Sequence, residues 1–178
     1  MGSNLGPRLN NLRCAVDALR HIVVDGLRCS GVYETEPVGP VAQPEFLNAC
    51  ATGAVLLEPA ELLEQVKLIE RQLGREPGGE RFGPRAIDID ILLYGDRSVE
   101  THLLSIPHPR LHQRGFVLVP LAELAGDWRH PALDQTIGEL AGKISPEGVV
   151  RTRARIDRPG VGAASDLRRG GRGVAGAQ

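Results

Sequence analysis

Residues 86–93 read Ala-Ile-Asp-Ile-Asp-Ile-Leu-Leu, an alternation of apolar and acidic side chains that an extended chain sorts onto two faces. The pattern predicts a strand over Ala86–Leu93, closed by a Gly95-Asp96 turn. Ile87, Ile89, Ile91 and Leu93 then share the core face, and Asp88 and Asp90 share the other. Carboxylates so placed stand about 6.6–7 Å apart at the backbone, a costly arrangement unless a cation neutralises it. Hard oxygen ligands suit magnesium, which takes one or two carboxylates and completes its shell with water and phosphate oxygens. A strand with a solvated acidic face fits the same alternation, so the segment alone leaves both readings open.

The neighbouring spacings predict the other elements. Leu9, Leu12, Val16, Leu19 and Val23 recur at helical spacing until Gly26. Residues 27–35 and 46–57 read as two strands, joined by a loop over 36–44 stiffened by Pro37, Pro40 and Pro44. Pro59 opens a helix whose apolar face (Leu62, Leu63, Val66, Ile69, Leu73) ends at Gly74. A polar loop or short helix spans Pro107–Gly115, and an apolar helix follows over Phe116–Leu124, with Pro120 tolerated only in its first turn. A weaker helical pattern covers Thr136–Ile144. This order predicts an α+β sandwich with an antiparallel sheet flanked by helices. From Ser145 onward arginine, glycine and alanine dominate, so 1–144 is expected to be the folded domain and 145–178 a disordered tail.

A formal charge of −1 argues against nucleic acid as the main partner. No apolar run approaches the ~20 residues a membrane span needs, and the start has no signal-peptide pattern. Cys14, Cys29 and Cys50 form neither a CxxC motif nor an even set, which predicts structural thiols in a reducing, cytoplasmic compartment.

What surrounds the acidic pair favours the metal reading. Arg75, Arg81 and Arg85 precede it in a stretch containing Gly74, Pro77, Gly78, Gly79, Gly83 and Pro84. Guanidinium groups bind phosphate in a bidentate way and keep their charge. A pliable basic loop beside a magnesium site suits phosphoryl transfer, where catalysis is mainly positioning and charge neutralisation. His108 and Arg114 follow in one short polar stretch, well placed for phosphate contact. No Gly-rich loop ending in Lys-Ser/Thr is present, which excludes a P-loop enzyme.

Four motifs, "GSNLG" (2–6), "YETEPVG…QPEFLNA" (33–49), "RFGPRAIDIDILLYG" (81–95) and "IPHPRLHQRGFVLVPL" (106–121), resemble the 6-hydroxymethyl-7,8-dihydropterin pyrophosphokinases in order and spacing. The resemblance runs from residue 2 to about residue 131. It implies a ferredoxin-like sandwich and a monomer that moves the β,γ-diphosphoryl group of ATP to a hydroxymethyl dihydropterin, releasing AMP, in folate biosynthesis. It implies that Asp88 and Asp90 hold two magnesium ions with ATP. Arg75 matches the arginine of a mobile catalytic loop and Arg85 one that contacts the phosphates. Glu70, Lys67, Ile91, His108 and Arg114 fall at the nucleotide site, Lys67 where the family is expected to carry an amide. For the pterin, Phe46 and Phe116 match two aromatics that sandwich the ring, Asn48 an amide that reads its edge, and Thr35 and Val38 a contacting loop. Phe82 replaces a bulkier aromatic. The resemblance also implies a strand of about six to eight residues before Gly2, whose loss is expected to leave the chain marginal. A two-metal phosphohydrolase would share the aspartates without needing Phe46, Asn48 and Phe116. A non-catalytic ferredoxin-like binding module is the remaining alternative.

Overall fold

The computed structural model describes residues 1–39, 42–75 and 83–156. In chain order the elements are β1 (Gly2–Ser3), α1 (Arg8–Leu19), β2 (Asp25–Cys29), β3 (Tyr33–Thr35), β4 (Phe46–Asn48), β5 (Ala51–Ala54) and α2 (Pro59–Gln72). They continue with β6 (Val99–Glu100), β7 (Ser105–Ile106), a 3-10 turn at Leu111–Gln113, α3 (Gly115–Ala125), α4 (Ile137–Gly142) and β8 (Val149–Arg151). One antiparallel sheet has the order β1-β4-β3-β8, and β2 with β5, and β6 with β7, form two further antiparallel pairs. The architecture is α+β.

Two apolar clusters hold this frame. Leu12 and Val16 of α1 meet Val66 and Ile69 of α2, Leu47 of β4, and Ile87 and Ile89. Leu118 and Leu121 of α3 meet Ile137 and Leu140 of α4, Leu111 and Cys50. Each such side chain contributes about 1.5–3 kcal/mol on burial, so the two helix pairs are fixed to the sheet by separate cores.

Several expected elements are cut short where the sheet claims the backbone. The apolar spacing of α1 runs to Val23, yet the helix stops at Leu19, because the Val24 N–H already bonds Ala54 at 2.9 Å. The strand expected over 27–35 is β2 and β3, and the strand over 46–57 is β4 and β5. At the break Ser30 replaces the ladder: its N–H donates to Cys50 at 3.0 Å and its hydroxyl accepts the Cys50 N–H at 2.9 Å.

The segment 86–93 is not a regular strand. Asp88 alone forms a bridge, exchanging both backbone bonds with Gly2 at 2.8 Å. Next to it the Ile89 N–H turns to the Glu70 carboxylate at 2.7 Å, and the Leu92 carbonyl accepts the His108 N–H at 2.9 Å. The Ala86 carbonyl accepts from the Asn11 side chain at 3.0 Å, so the backbone of this segment finds four different partners rather than one ladder. The inside–outside alternation holds for Ile87 to Asp90 and fades at Ile91–Leu93, all half-buried.

Two more expectations are corrected. Pro120 lies well inside α3 instead of its first turn. An internal proline costs about 3 kcal/mol, which the burial of Val117, Leu118 and Leu121 along the same helix offsets. The expected tail also starts too early: residues 149–151 form β8 on β3, Thr152 bonds Val32 at 2.8 Å, and Ile156 is buried in the first core. Glu123 of α3 clasps this region, accepting from the Tyr33 hydroxyl and the Gly31 N–H and pairing with Arg151. The rest of the expected tail, 157–178, lies outside the described residues.

Candidate active site

The backbone lays out the site before any side chain does. Gly2 is paired to Asp88 on one side and to Asn48 on the other, and Asn48 is paired in turn to Tyr33. Asp88, Gly2 and Asn48 thus form one row across three extended segments, with neighbours about 4.8 Å apart. The middle member has no side chain, which leaves a lane between a carboxylate and an amide. A Cβ on Gly2 would stand 2.5 Å from Asn48 Oδ1. The Asn48 amide is anchored on the β3 side, away from Gly2, by donating to Thr35 Oγ1 at 2.7 Å.

Around this row opens a cleft of about 1030 Å³. Thr35, Val38, Phe46, Asn48, Lys67, Glu70, Arg75, Arg85, Asp88, Asp90, His108, Arg114 and Phe116 all line it. Ile91, the remaining candidate, packs against the first core instead. Arg81 and Phe82 lie outside the described residues.

One end of the cleft is a charge network. α2 ends in a Gly74 turn at φ +89°, with the Gly74 N–H on Arg71 and the Arg75 N–H on Glu70, the bonding pattern that reverses a chain after a helix. The reversal lays Arg75 over its own helix end, where its guanidinium reaches both Glu70 and, at 2.5 Å, Asp88 Oδ1. Arg85 takes the other oxygen, Asp88 Oδ2, at 2.9 Å. Glu70 is 1% exposed and also receives Lys67 Nζ at 2.9 Å. Burial alone would raise the Asp88 pKa, but Arg75, Arg85 and Lys67 hold it below the usual carboxylate range. For Arg75, burial opposes the charge and the Asp88 and Glu70 carboxylates more than restore it.

Across the cleft, burial and the neighbouring Arg114 and Arg110 push the His108 ring toward its neutral form, against the pull of Asp90. Burial and Arg110 likewise lower the Arg114 pKa. Its guanidinium stands 5.5 Å over the Phe116 ring, which ties the basic wall to the aromatic one. Phe46 and Phe116 line the same cleft as Asn48, and Phe46 stands close to Gly2.

Among the described residues no three His, Cys, Asp or Glu side chains converge on a closed metal cage. Asp88, now paired to Arg75 and Arg85, and the exposed Asp90 supply two carboxylates with hard oxygen donors, the ligand type that fits a magnesium ion keeping water and phosphate oxygens. The donor set therefore suits that ion.

Sequence reasoning passed over three residues that shape the cleft. Gly2 clears the lane. Asn4, 2% exposed, accepts the Arg85 N–H at 2.8 Å and donates to Gln43 and Pro44, tying two walls together. Arg110 lines the basic wall. The opening Gly-Ser-Asn was the available signal, since a buried amide beside a glycine marks close backbone approach.

The family model described as 7,8-dihydro-6-hydroxymethylpterin-pyrophosphokinase (HPPK) matches residues 1–126. A Synechocystis protein named 2-amino-4-hydroxy-6-hydroxymethyldihydropteridine pyrophosphokinase is 43% identical over 145 residues, spanning 81% of this chain and 73% of the relative. A protein of the same name from Bacillus subtilis is 46% identical over 125 residues, 70% of this chain and 74% of its own length. One from Haemophilus influenzae is 36% identical over 152 residues, 85% of this chain and 94% of its own. With a family match over most of its length and relatives of this identity, the chain belongs to the 7,8-dihydro-6-hydroxymethylpterin-pyrophosphokinase family.

Proposed function

We propose that this protein transfers the β,γ-diphosphoryl group of ATP to 6-hydroxymethyl-7,8-dihydropterin, releasing AMP, with Asp88 and Asp90 as ligands of two magnesium ions. The observation that carries the reading is the row Asp88–Gly2–Asn48, which sets a metal-type carboxylate and a heterocycle-reading amide on either side of an open lane.

Asn48 offers a donor and an acceptor to the pterin edge, and Thr35 fixes which way that amide points. Phe46 and Phe116 stack on the ring, worth about 0.5–1.5 kcal/mol beyond area burial. Val38, on the exposed lip of the cleft, adds apolar cover. Arg75, Arg85, Arg114 and neutral His108 receive the phosphate oxygens, holding the chain of phosphorus atoms in line with the pterin hydroxyl. Bound magnesium would neutralise the triphosphate and polarise the phosphorus under attack. Lys67 and Glu70 fix the nucleotide end of the cleft.

The same reading takes the fold as a ferredoxin-like sandwich, supported by the antiparallel sheet and its two helix pairs. Both substrate regions lie in one chain's cleft, which supports action as a monomer. Incubation with ATP, magnesium and the hydroxymethyl dihydropterin should yield AMP and the pterin diphosphate in equal amounts, read by phosphorus NMR. ADP or inorganic phosphate as product, or nucleotide turnover independent of the pterin, would overturn the assignment.

A further inference from the structure

Two anions, Glu70 and Asp88, and three cations, Lys67, Arg75 and Arg85, form one network in the cleft that Asp90 also lines. Their partners are unevenly shared. Asp90 is exposed, whereas both oxygens of Asp88 are occupied, one by Arg75 and one by Arg85. A divalent ion approaching Asp88 therefore meets two guanidinium groups already in its coordination positions. It must displace them or share the carboxylate against their repulsion.

Arg75 is also free to go. Glu70, 1% exposed, cannot follow it into solvent, and a buried carboxylate stripped of every partner would be costly. Lys67 Nζ and the Ile89 N–H both stay on Glu70 when Arg75 leaves, so its charge remains compensated. The Gly74 turn supplies a pivot for the departure, since its positive φ needs no side-chain rearrangement.

We infer that Arg75 and Arg85 guard Asp88 in the ligand-free protein, keeping it closed to a bare divalent cation until triphosphate oxygens draw the two guanidinium groups away. Asp88 then passes from arginine to metal while the arginines pass from carboxylate to phosphate. Binding of metal and nucleotide is thereby coupled through one carboxylate. The free protein holds divalent cations weakly, and the nucleotide raises that affinity beyond what its own phosphates contribute. The inference rests on Asp88 and Asp90 being metal ligands.

The test uses Mn2+ as probe, its free concentration read by electron paramagnetic resonance, with the full chain and no nucleotide. Arg75→Ala and Arg85→Ala should each bind Mn2+ at least about tenfold more tightly than the unmodified protein, the equivalent of about 1.4 kcal/mol. Arg71→Ala is the control for bulk charge, because Arg71 lines the same cleft and is not paired to Asp88. It should change the affinity by less than about threefold, since its charge acts only through screened solvent. Equal tightening by Arg71→Ala, or none by either guard variant, overturns the inference. Asp88→Asn, placed in the Arg75→Ala background, should erase the gain. If Asp88→Asn leaves Mn2+ binding untouched both there and with a non-hydrolysable ATP analogue present, the metal assignment itself falls. If it weakens binding while the guard variants do nothing, only the guard is refuted.

Discussion

Replacing Gly2 by alanine perturbs the side of the cleft proposed to hold the pterin through a single methyl group. Residue 2 is not in the left-handed region, and alanine keeps the N–H and carbonyl that pair with Asp88, so the backbone tolerates the change. The added Cβ stands 2.5 Å from Asn48 Oδ1 and 3.4 Å from Phe46 Cδ1. The amide must retreat by roughly 0.5–1 Å to regain ordinary contact, and since it retreats toward β3 it crowds and misaligns its 2.7 Å bond to Thr35 until that bond is lost. A lost hydrogen bond of this kind costs about 0.5–1.5 kcal/mol, and the amide also loses its aim at the pterin edge. Together these amount to a fall in pterin affinity of about 5–30-fold. Nucleotide affinity should stay within about twofold, because effects at separate sites add with little coupling. Calorimetric titration of hydroxymethyl pterin, and separately of a non-hydrolysable ATP analogue, measures both. Unchanged pterin affinity would refute the claim that the bare residue sets the lane, and an equal loss for both ligands would show that the methyl disturbs the whole sheet.

Asp90→Ala should abolish diphosphoryl transfer while pterin binding, though weakened, stays measurable; near-normal turnover at saturating magnesium would contradict it. His130 is buried 6.3 Å from the His112 ring, and burial followed by the His112 charge lowers its pKa. Its unfolded form therefore takes up a proton first as pH falls. The associated stability is complete above about pH 6.5 and declines below it, toward the depressed folded value. His130→Gln should flatten the pH dependence of the melting temperature between about pH 7 and 5, and an unchanged slope would assign that dependence to other groups.

The parts of this protein that could be read from its sequence are those governed by local rules. α2 is bounded by Pro59 and Gly74 and carries one apolar face, so neither end depended on a distant partner. The acidic pair is legible from alternation, and both aspartates line the cleft while Ile87 and Ile89 are buried. The strand drawn around that pair was wrong for a non-local reason. Whether Ile89 donates to a neighbouring strand or to Glu70 is settled by where α2 docks, and no window on residues 86–93 contains that information. Ser30 breaking β2 from β3 is likewise legible only when Cys50 is alongside. The family resemblance implies a nucleotide-site position for Glu70, but its burial beneath Lys67 and Arg75 is visible only in the fold. β8 was hidden by composition, because Arg151 and the arginines that follow it look like solvated chain until Glu123 pairs with Arg151 and β3 pairs with the strand.

The seating of β8 bears on how the molecule is made. Thr152 donates to Val32, 120 positions earlier in the chain, whereas β3 and β4 meet after a short loop. Loop-closure entropy grows with chain length and must be overcome before such a distant contact returns any energy. During synthesis the β3 edge and the Glu123 carboxylate therefore wait, uncovered, until the chain beyond residue 152 leaves the ribosome. Emergence at about 5–20 residues per second makes that interval several seconds from the completion of β3. In that window the protein is an open-edged sheet, and Arg151, Arg153 and Arg155, all exposed in the finished structure, give the arriving strand a positive charge that discourages it from pairing with its own copies.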